Sequence, residues 1–301
     1  MDLESLLRGV VPVLLALAAA GATDRLVMRR EAPPGFAVPW RRAAAAALLA
    51  GLYYVAVFAA LGLIGQTVEI DLATTRPWEL FALHGQLVAV LLAWGALAYA
   101  GPDGALGPRL ARAFGLAADR PRGAASPARE SAAGGTPRPR RELHVGREIL
   151  LGLAGGFAIW GAVVAVLMLV GLLVYAAGWD ELLPKSPPQL VAFVAGQPWW
   201  LRLGIALSAG FVEETFFRGF LQRRIGLPLS TTLFVLAHAN YGVPFMLVGV
   251  TLLSVVYGLL TRWRGNVWAA AVAHFVFDAV QLLVLVPWAM ERIGSGAALL
   301  C

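Results

Sequence analysis

Long uninterrupted apolar stretches constrain this chain more than any other feature of its sequence. Six to eight of them are long enough to cross a hydrocarbon layer about 30 Å thick. Hydrophobic residues make up 59% of the 301 residues and charged residues only 14%, whereas soluble domains carry about a quarter. The backbone finds no water inside such a layer, so each stretch is expected to be helical. The predicted spans are 9–24, 43–64, 80–100, 149–177, 203–221, 227–241, 245–260 and 266–289.

The sequence therefore predicts an all-α polytopic membrane protein with about eight transmembrane helices, the last four to five forming a bundle. The stretches 227–241 and 245–260 are short, and only Gly242, Val243 and Pro244 separate them. Two full spans, a strongly bent pair and two half-spans all remain compatible with this part of the sequence.

The basic residues predict how the helices are oriented. The loops after the first, third, fifth and seventh stretches hold 19 of the 24 Lys and Arg residues. Basic loops stay cytoplasmic, so both termini are expected to face outward. The net charge of +6 is attributed to topology and to contact with anionic lipid, not to nucleic acid. The Ala-, Arg- and Gly-rich composition is typical of a GC-rich genome, which favours a bacterial inner membrane.

One polar segment divides the chain. Residues 102–147 are rich in Pro, Gly, Ala, Ser and Arg, which predicts a disordered basic cytoplasmic linker. Within it, LGPRLARAFGLA is compatible with a basic amphipathic helix on the membrane surface. The linker separates a three-span region at 1–101 from a second membrane domain at 148–290, and a tail follows at 291–301.

A few ionisable side chains fall inside the predicted spans. A charged side chain at the bilayer centre costs about 2.5–3.5 kcal/mol even on lenient scales, so such residues are expected to face the bundle interior and to have partners. His84 stands apart from the others and is interpreted as a packing residue near the outer interface. The full set is Glu213, Glu214, Asp278, His84, His238 and His274.

The members of this set in the last third of the chain are expected at one depth. Glu213, His238 and His274 each lie about eight to eleven residues, or roughly 12–17 Å, from the cytoplasmic end of their predicted helices. Scattered structural residues need not share a depth. The sequence therefore indicates one cluster in the middle or cytoplasmic half of the bilayer.

Helical spacing predicts which side chains share a face. Glu214 and Arg218 are four residues apart and are expected to pair along one side of their helix. Glu213 points about 100° away from Glu214, into a different space. His274 and Asp278 are also four residues apart and share a face.

Three short motifs carry a resemblance to a known family. EETFFR (213–218) fits E-E-x-x-x-R, FVLAH (234–238) fits F-x-x-x-H, and HFVFD (274–278) fits H-x-x-x-D/N. In this order on successive helices, they resemble the signatures of the CAAX-protease and bacteriocin-processing family of intramembrane endopeptidases. That family includes type II CAAX prenyl proteases and lysostaphin-resistance proteins. The likeness covers roughly 149–289 of the sequence, outside the first three spans and the linker.

The residues themselves indicate hydrolytic chemistry. Glu213 with His238 can polarise a water molecule and relay its proton. No Ser, Cys or Thr lies in an evident base-paired arrangement, which disfavours a covalent mechanism. Phe234, one turn from His238, is expected to pack beside it.

The resemblance assigns roles to the other residues of the motifs. It implies that His274 and Asp278 form the side of the site that stabilises an oxyanion, and that Glu214 and Arg218 fix the electrostatics around Glu213. The family motif also accepts Asn at position 278, and Asn donates a hydrogen bond that an ionised Asp cannot. Asp278 must therefore be protonated, orient His274 or help to bind a metal.

A metal is the open question of this chemistry. His238, His274 and Glu213 form an alternative ligand set for Zn²⁺, and members of the family are often described as metallopeptidases. The histidines come from different helices, without the H-E-x-x-H spacing of zinc proteases. A metal-free glutamate mechanism is favoured.

The predicted function is an integral-membrane endopeptidase that cuts near the C-terminus, or in a membrane-proximal segment, of a peptide or protein. CAAX-box processing is the precedent that the resemblance supplies, and the substrate stays open. Two alternatives use the same residues. One is a proton-coupled transporter, although no internal repeat of the kind common in transporters is evident. The other is a catalytically silent immunity or scaffold protein.

Overall fold

The computed structural model describes residues 3–58, 76–101, 104–117, 143–183, 189–239 and 244–294. All regular secondary structure within these ranges is helical. The α-helices are α1 (Leu3–Arg30), α2 (Pro39–Tyr53), α3 (Ala82–Tyr99), α4 (Leu106–Ala113), α5 (Val145–Ala176), α6 (Gln189–Ala195), α7 (Trp199–Ser208), α8 (Arg223–Ile225), α9 (Leu227–Ala237), α10 (Pro244–Arg264), α11 (Trp268–Val280) and α12 (Val286–Gly294). The 3₁₀ turns Pro34–Ala37, Pro77–Phe81 and Asp180–Leu182 and the π-helical segments Tyr54–Phe58, Ala209–Gln222 and Gln281–Leu285 complete the list.

Six helices among the described residues are long and apolar enough to cross a membrane. The chain is thus an all-α polytopic membrane protein, as the apolar stretches predicted. The six segments are Arg8–Arg30, Pro39–Phe58, Trp78–Tyr99, Val145–Ala176, Phe245–Arg264 and Trp268–Arg292.

The other two predicted spans have different shapes. The stretch predicted at 203–221 lies within a continuous helical run formed by α7, the π-helical segment Ala209–Gln222 and α8. The stretch predicted at 227–241 is shorter than expected. Its helix α9 has only 11 residues, or about 16 Å, which is too short to cross the hydrocarbon layer by itself. Residues 240 and 241 of the predicted stretch lie outside the described residues.

The segment Ala209–Gln222, called here the central π-helix, carries the E-E-x-x-x-R motif. It is 14 residues long, and its backbone N–H groups pair with carbonyls five residues earlier instead of four. Such widened turns occur mostly as short bulges at functional sites. A hydrophobic pattern does not distinguish a π-helix from an α-helix, so the sequence predicted ordinary α-helical geometry here.

Helix α11, which carries the H-x-x-x-D motif, lies at the centre of the second membrane domain. It packs against α5, α7, α10 and the central π-helix. Small residues make these approaches close. A Cβ added to Gly210 would lie 2.7 Å from the carbonyl oxygen of Ala271, and one added to Gly156 would lie 2.7 Å from the Cβ of Val276. The close approach of the central π-helix at Gly210 and of α5 at Gly156 therefore fixes the position of α11.

The three-span region is not a separate body. Helices α1, α2 and α3 share one hydrophobic core with the central π-helix and α9. Trp94 on α3 meets Phe220 edge-on at a centroid distance of 4.7 Å, and both rings are buried. Helix α3 is therefore held directly against the helix that carries Glu213.

Part of the predicted linker is also packed against the second domain. Helix α4 lies inside the segment LGPRLARAFGLA, and the turn after it accepts hydrogen bonds from the start of α11. The backbone N–H of Val267 donates to the carbonyl of Gly115 at 3.0 Å, and Trp268 Nε1 donates to the carbonyl of Leu116 at 2.9 Å. Residues 104–117 are thus docked instead of mobile, while 118–142 lie outside the described residues.

Two arginines that the charge analysis assigned to a cytoplasmic loop are buried. Arg218 is 1% exposed and Arg224 is 0% exposed. Arg224 pairs with Glu31 at 2.9 Å and donates to the carbonyl of Phe220 at 2.8 Å. These charges stabilise the packing of the helices, so they are weak evidence for topology.

Candidate active site

The site is assembled at the meeting point of the central π-helix, α3, the C-terminal end of α9, and α11. Glu213 lies on the central π-helix, His238 directly after α9, His274 on α11 and His84 on α3. Their side chains are 14%, 16%, 7% and 13% exposed, in that order. The site is therefore mostly enclosed but not sealed.

Glu213 and His238 face each other. Oε2 of Glu213 lies 3.8 Å from Nε2 of His238. Nδ1 of His238 lies 2.7 Å from the backbone carbonyl of Phe234, which can only accept a hydrogen bond, so Nδ1 carries the hydrogen. In the neutral ring, Nε2 then presents its lone pair to Glu213. Oε2 of Glu213 is buried and has no hydrogen-bond partner among the described residues.

The other oxygen of Glu213 is held from the opposite half of the chain. His84 Nε2 lies 3.2 Å from Glu213 Oε1, and His84 Nδ1 lies 2.8 Å from the hydroxyl of Ser208 on α7. His84 is thus a hydrogen-bonded residue in direct contact with Glu213, a contact that the sequence did not predict. Its partner lies 129 positions away, and no motif connects the two.

His274 lies between two carboxylates. Its Nδ1 is 3.0 Å from Glu214 Oε1, and its Nε2 is 3.5 Å from Asp278 Oδ2. The ring stacks on Tyr257 at a centroid distance of 5.0 Å and an interplanar angle of 24°. A doubly protonated imidazolium is compatible with this arrangement, because each ring nitrogen lies within 3.5 Å of a carboxylate oxygen.

Glu214 and Arg218 form the expected i,i+4 ion pair, at 3.0 Å. The contact lacks the directional geometry of a hydrogen bond, since neither terminal guanidinium nitrogen of Arg218 has a hydrogen-bond partner among the described residues. The guanidinium instead lies over the ring of Phe234, 4.1 Å from its centroid. The same ring packs against His238 at 4.4 Å. Phe234 thus separates the buried cation from the histidine.

The structure brings every residue of the three motifs into one connected cluster. Glu213 contacts His238, His238 packs on Phe234, and Phe234 lies 6.4 Å from His274 by ring centroids. The roles assigned to these residues stay predictions. The sequence singled out His84 only as a packing residue and did not single out Ser208 or Tyr257, because each is a single polar residue in an apolar helix, with no spacing that marks it as part of the site.

The alternative zinc set does not fit this arrangement. No three His, Cys, Asp or Glu side chains converge with metal-binding geometry in the part of the chain that the structure describes. Each ring nitrogen of His274 lies within 3.5 Å of a carboxylate other than Glu213. His238, His274 and Glu213 therefore do not share a point that a Zn²⁺ ion bound to all three would occupy.

Fold and site together define a polytopic helical membrane protein with an enclosed carboxylate–histidine cluster. Residues 194–280 match the family model described as type II CAAX prenyl endopeptidase Rce1-like. This segment contains all three motifs, so the predicted resemblance is confirmed over this part of the chain. The match supports a membrane-embedded peptide hydrolase.

A curated relative matches a similar length of sequence. The uncharacterized protein YpbD of Bacillus subtilis (strain 168) is 39% identical over 77 residues, which is 25% of this chain and 41% of the relative. The chain thus spans less than half the length of the curated relative that it matches. No solved structure matches the chain. His84 lies outside the residues matched by the family model.

Proposed function

We propose that this protein is an integral-membrane endopeptidase in which Glu213 and His238 activate a water molecule. The observation that carries the proposal is the approach of Glu213 Oε2 to His238 Nε2 at 3.8 Å, two acceptors in an enclosed site. A water molecule lying off the line between them can donate one O–H to each. Such a water has its lone pairs directed away from both residues, towards a bound peptide.

The chemical steps follow from this arrangement. The water oxygen attacks the carbonyl carbon of the scissile peptide bond while its proton passes to Glu213 or His238. The tetrahedral intermediate carries a negative charge on the former carbonyl oxygen. That proton then moves to the peptide nitrogen, the C–N bond breaks, and a carboxylic acid and an amine leave.

His274 supplies the positive charge for the oxyanion in this proposal. Its ring is fixed by Glu214, Asp278 and Tyr257, so it needs no reorganisation during the reaction. A preorganised positive charge of this kind contributes more in a water-poor site than in bulk solvent. Arg218 and Glu214 hold this side of the site in place from the central π-helix.

The substrate class follows from the location of the site. A peptide must enter a cluster surrounded by membrane helices, so we propose a peptide or protein segment at or near the membrane, with lipid as the other partner. We propose a bacterial cytoplasmic membrane, which the Ala-, Arg- and Gly-rich composition favours, with both termini outside, which the charge distribution favours.

A cleavage assay tests the proposal. Purified protein in detergent is given a peptide library, and products are identified by mass spectrometry. We expect cleavage by the wild type, and a loss of about 10²–10⁴-fold in Glu213→Gln and in His238→Ala. Glu181→Gln, which changes an exposed carboxylate, is the matched control and should cleave like the wild type.

Two outcomes contradict the proposal. Undiminished cleavage by Glu213→Gln would remove the proposed base. Absence of cleavage together with pH-driven flux in liposomes would favour the transporter alternative. A chelator added to the same assay is expected to leave the rate unchanged, because the proposed steps use only side chains.

A further inference from the structure

We propose that His84 is a positioning residue of the active site, and that helix α3 therefore completes a site whose other parts lie in the family-matched segment. This inference rests on the proposed role of Glu213 as the base. His84 is 13% exposed on its side chain and lies on the part of the chain that carries none of the three motifs.

The two oxygens of Glu213 have different environments. Oε1 contacts His84 Nε2 at 3.2 Å, while Oε2 faces His238 Nε2 at 3.8 Å. A carboxylate held at one oxygen cannot rotate freely about its terminal bond. The contact with His84 thereby fixes the direction of Oε2, which is the atom that the mechanism uses.

The Ser208 hydroxyl contacts the second ring nitrogen of His84. This hydroxyl lies 2.8 Å from His84 Nδ1 and 3.0 Å from the carbonyl of Ile205, and one hydroxyl hydrogen serves only one of them. If Ser208 donates to Nδ1, the neutral ring carries its hydrogen on Nε2. If Ser208 donates to Ile205, a ring facing the ionised Glu213 must carry hydrogens on both nitrogens. Either way, His84 Nε2 donates to Glu213.

The surrounding packing holds His84 at this position. Helix α3 is fixed to the central π-helix by the buried contact of Trp94 with Phe220. Phe81, directly before α3, packs against Gly204 on α7. A Cβ added to Gly204 would lie 3.3 Å from the Phe81 ring, so the absence of a side chain at Gly204 lets this ring approach α7. Gly204 and Ser208 are four residues apart and share a face of α7. The helix pair is therefore close where the Ser208–His84 contact forms.

The order Ser208–His84–Glu213 also resembles the connectivity of a catalytic triad. In a triad, the serine would be the nucleophile and would form an acyl-enzyme. In the mechanism proposed here, Glu213 acts through Oε2 on water, and Ser208 only orients His84. The two assignments differ in an observable way, because only a nucleophilic serine reacts with a fluorophosphonate probe.

Variants at position 84 separate positioning from structural support. His84→Phe keeps a planar ring but cannot donate a hydrogen bond, and we expect kcat to fall by about 10²-fold with little change in KM. His84→Gln keeps an N–H donor near the same place and should restore most of the wild-type kcat. Gln86→Leu, which changes an exposed residue on the same helix, is the control. In a Glu213→Gln background, His84→Phe should cause no further loss.

A second measurement is independent of cleavage. Thermal unfolding of wild type, His84→Phe, Glu213→Gln and the double variant forms a double-mutant cycle. Contact between the two side chains predicts a Tm shift in the double variant that differs from the sum of the single shifts. If no peptide is cleaved by the wild type, the proposed function fails, and this cycle still tests the contact.

Three results would overturn the inference. They are additive Tm shifts in the cycle, equal kcat losses in His84→Phe and His84→Gln, and fluorophosphonate labelling of the wild type that Ser208→Ala abolishes. The last result would make Ser208 the nucleophile.

Discussion

Glu214 accepts a hydrogen bond of 3.0 Å from Nδ1 of His274, which joins the central π-helix to α11. The carboxylate is 0% exposed and also pairs with Arg218 at 3.0 Å. The second glutamate of E-E-x-x-x-R and the histidine of H-x-x-x-D are thus partners. Glu213, the first glutamate of the motif, faces His238 instead.

Glu214→Gln is expected to destabilise the protein and to lower its activity. The substitution leaves the buried cation of Arg218 without its counter-ion, and breaking a buried pair in this way costs about 3–5 kcal/mol. It also weakens the bond that orients His274. Thermal unfolding in detergent should show a lower Tm, while the exposed carboxylate variant Glu181→Gln should unfold like the wild type. An unchanged Tm would mean that the ion pair does not form.

The contact between α5 and α11 gives a prediction with an adjacent control. A Cβ on Gly156 would lie 2.7 Å from Val276 Cβ and 3.0 Å from the carbonyl of Ala273, whereas one on Gly155 would meet nothing within 4 Å. Gly156→Ala should push α11 away from α5 and displace His274. Gly155→Ala should be harmless, and it has the higher helix propensity of Ala.

Cleavage rate and Tm measured on both glycine variants check this prediction. We expect a loss in Gly156→Ala of about 1–3 kcal/mol in the free energy of unfolding, the usual cost of overpacking. Equal behaviour of the two variants would show that α5 does not lie against α11 at this point. Helix α5 lies entirely before the family-matched segment. The test therefore concerns a contact to a helix that the family model does not match.

The sequence was sufficient to predict the class of fold and that Glu213, His238 and His274 lie in one cluster. Long apolar stretches indicate membrane helices, because the hydrocarbon layer contains no water and the backbone must form its hydrogen bonds within the helix. The cost of charge in that layer then marks Glu213, His238 and His274 as residues with partners. Both inferences depend on local sequence and on the solvent, so no knowledge of tertiary contacts was needed.

The parts that could not be predicted depend on long-range contacts. His84 is one polar residue in an apolar helix, and its partner Glu213 is 129 positions away. Gly115 and Leu116 contact the start of α11 through their backbone carbonyls. Every residue has a backbone carbonyl, so such contacts cannot be predicted from side-chain composition. The Pro- and Arg-rich character of the surrounding segment therefore predicted a linker where the structure has a packed turn.

The role of Asp278 can be separated into charge and hydrogen bonding. Its Oδ2 lies 3.5 Å from His274 Nε2, so it can orient the ring by accepting a hydrogen bond. Asp278→Asn keeps an acceptor at this place and should retain activity within about tenfold. Asp278→Leu removes the acceptor that orients His274 and should lose about 10²-fold or more, because a small misplacement of a catalytic group costs that much. Equal losses in both variants would mean that the negative charge is required.

The membrane topology can be tested with the natural sequence, because Cys301 is the only cysteine. The charge distribution predicts that both termini lie outside, since loops rich in Lys and Arg stay cytoplasmic. A membrane-impermeant maleimide should therefore label Cys301 in intact spheroplasts. The control is Ser131→Cys in a Cys301→Ser background, which puts the thiol in the basic segment and should be labelled only after permeabilisation. The reverse pattern would place that segment outside, and it would also invert the side from which a substrate reaches Glu213.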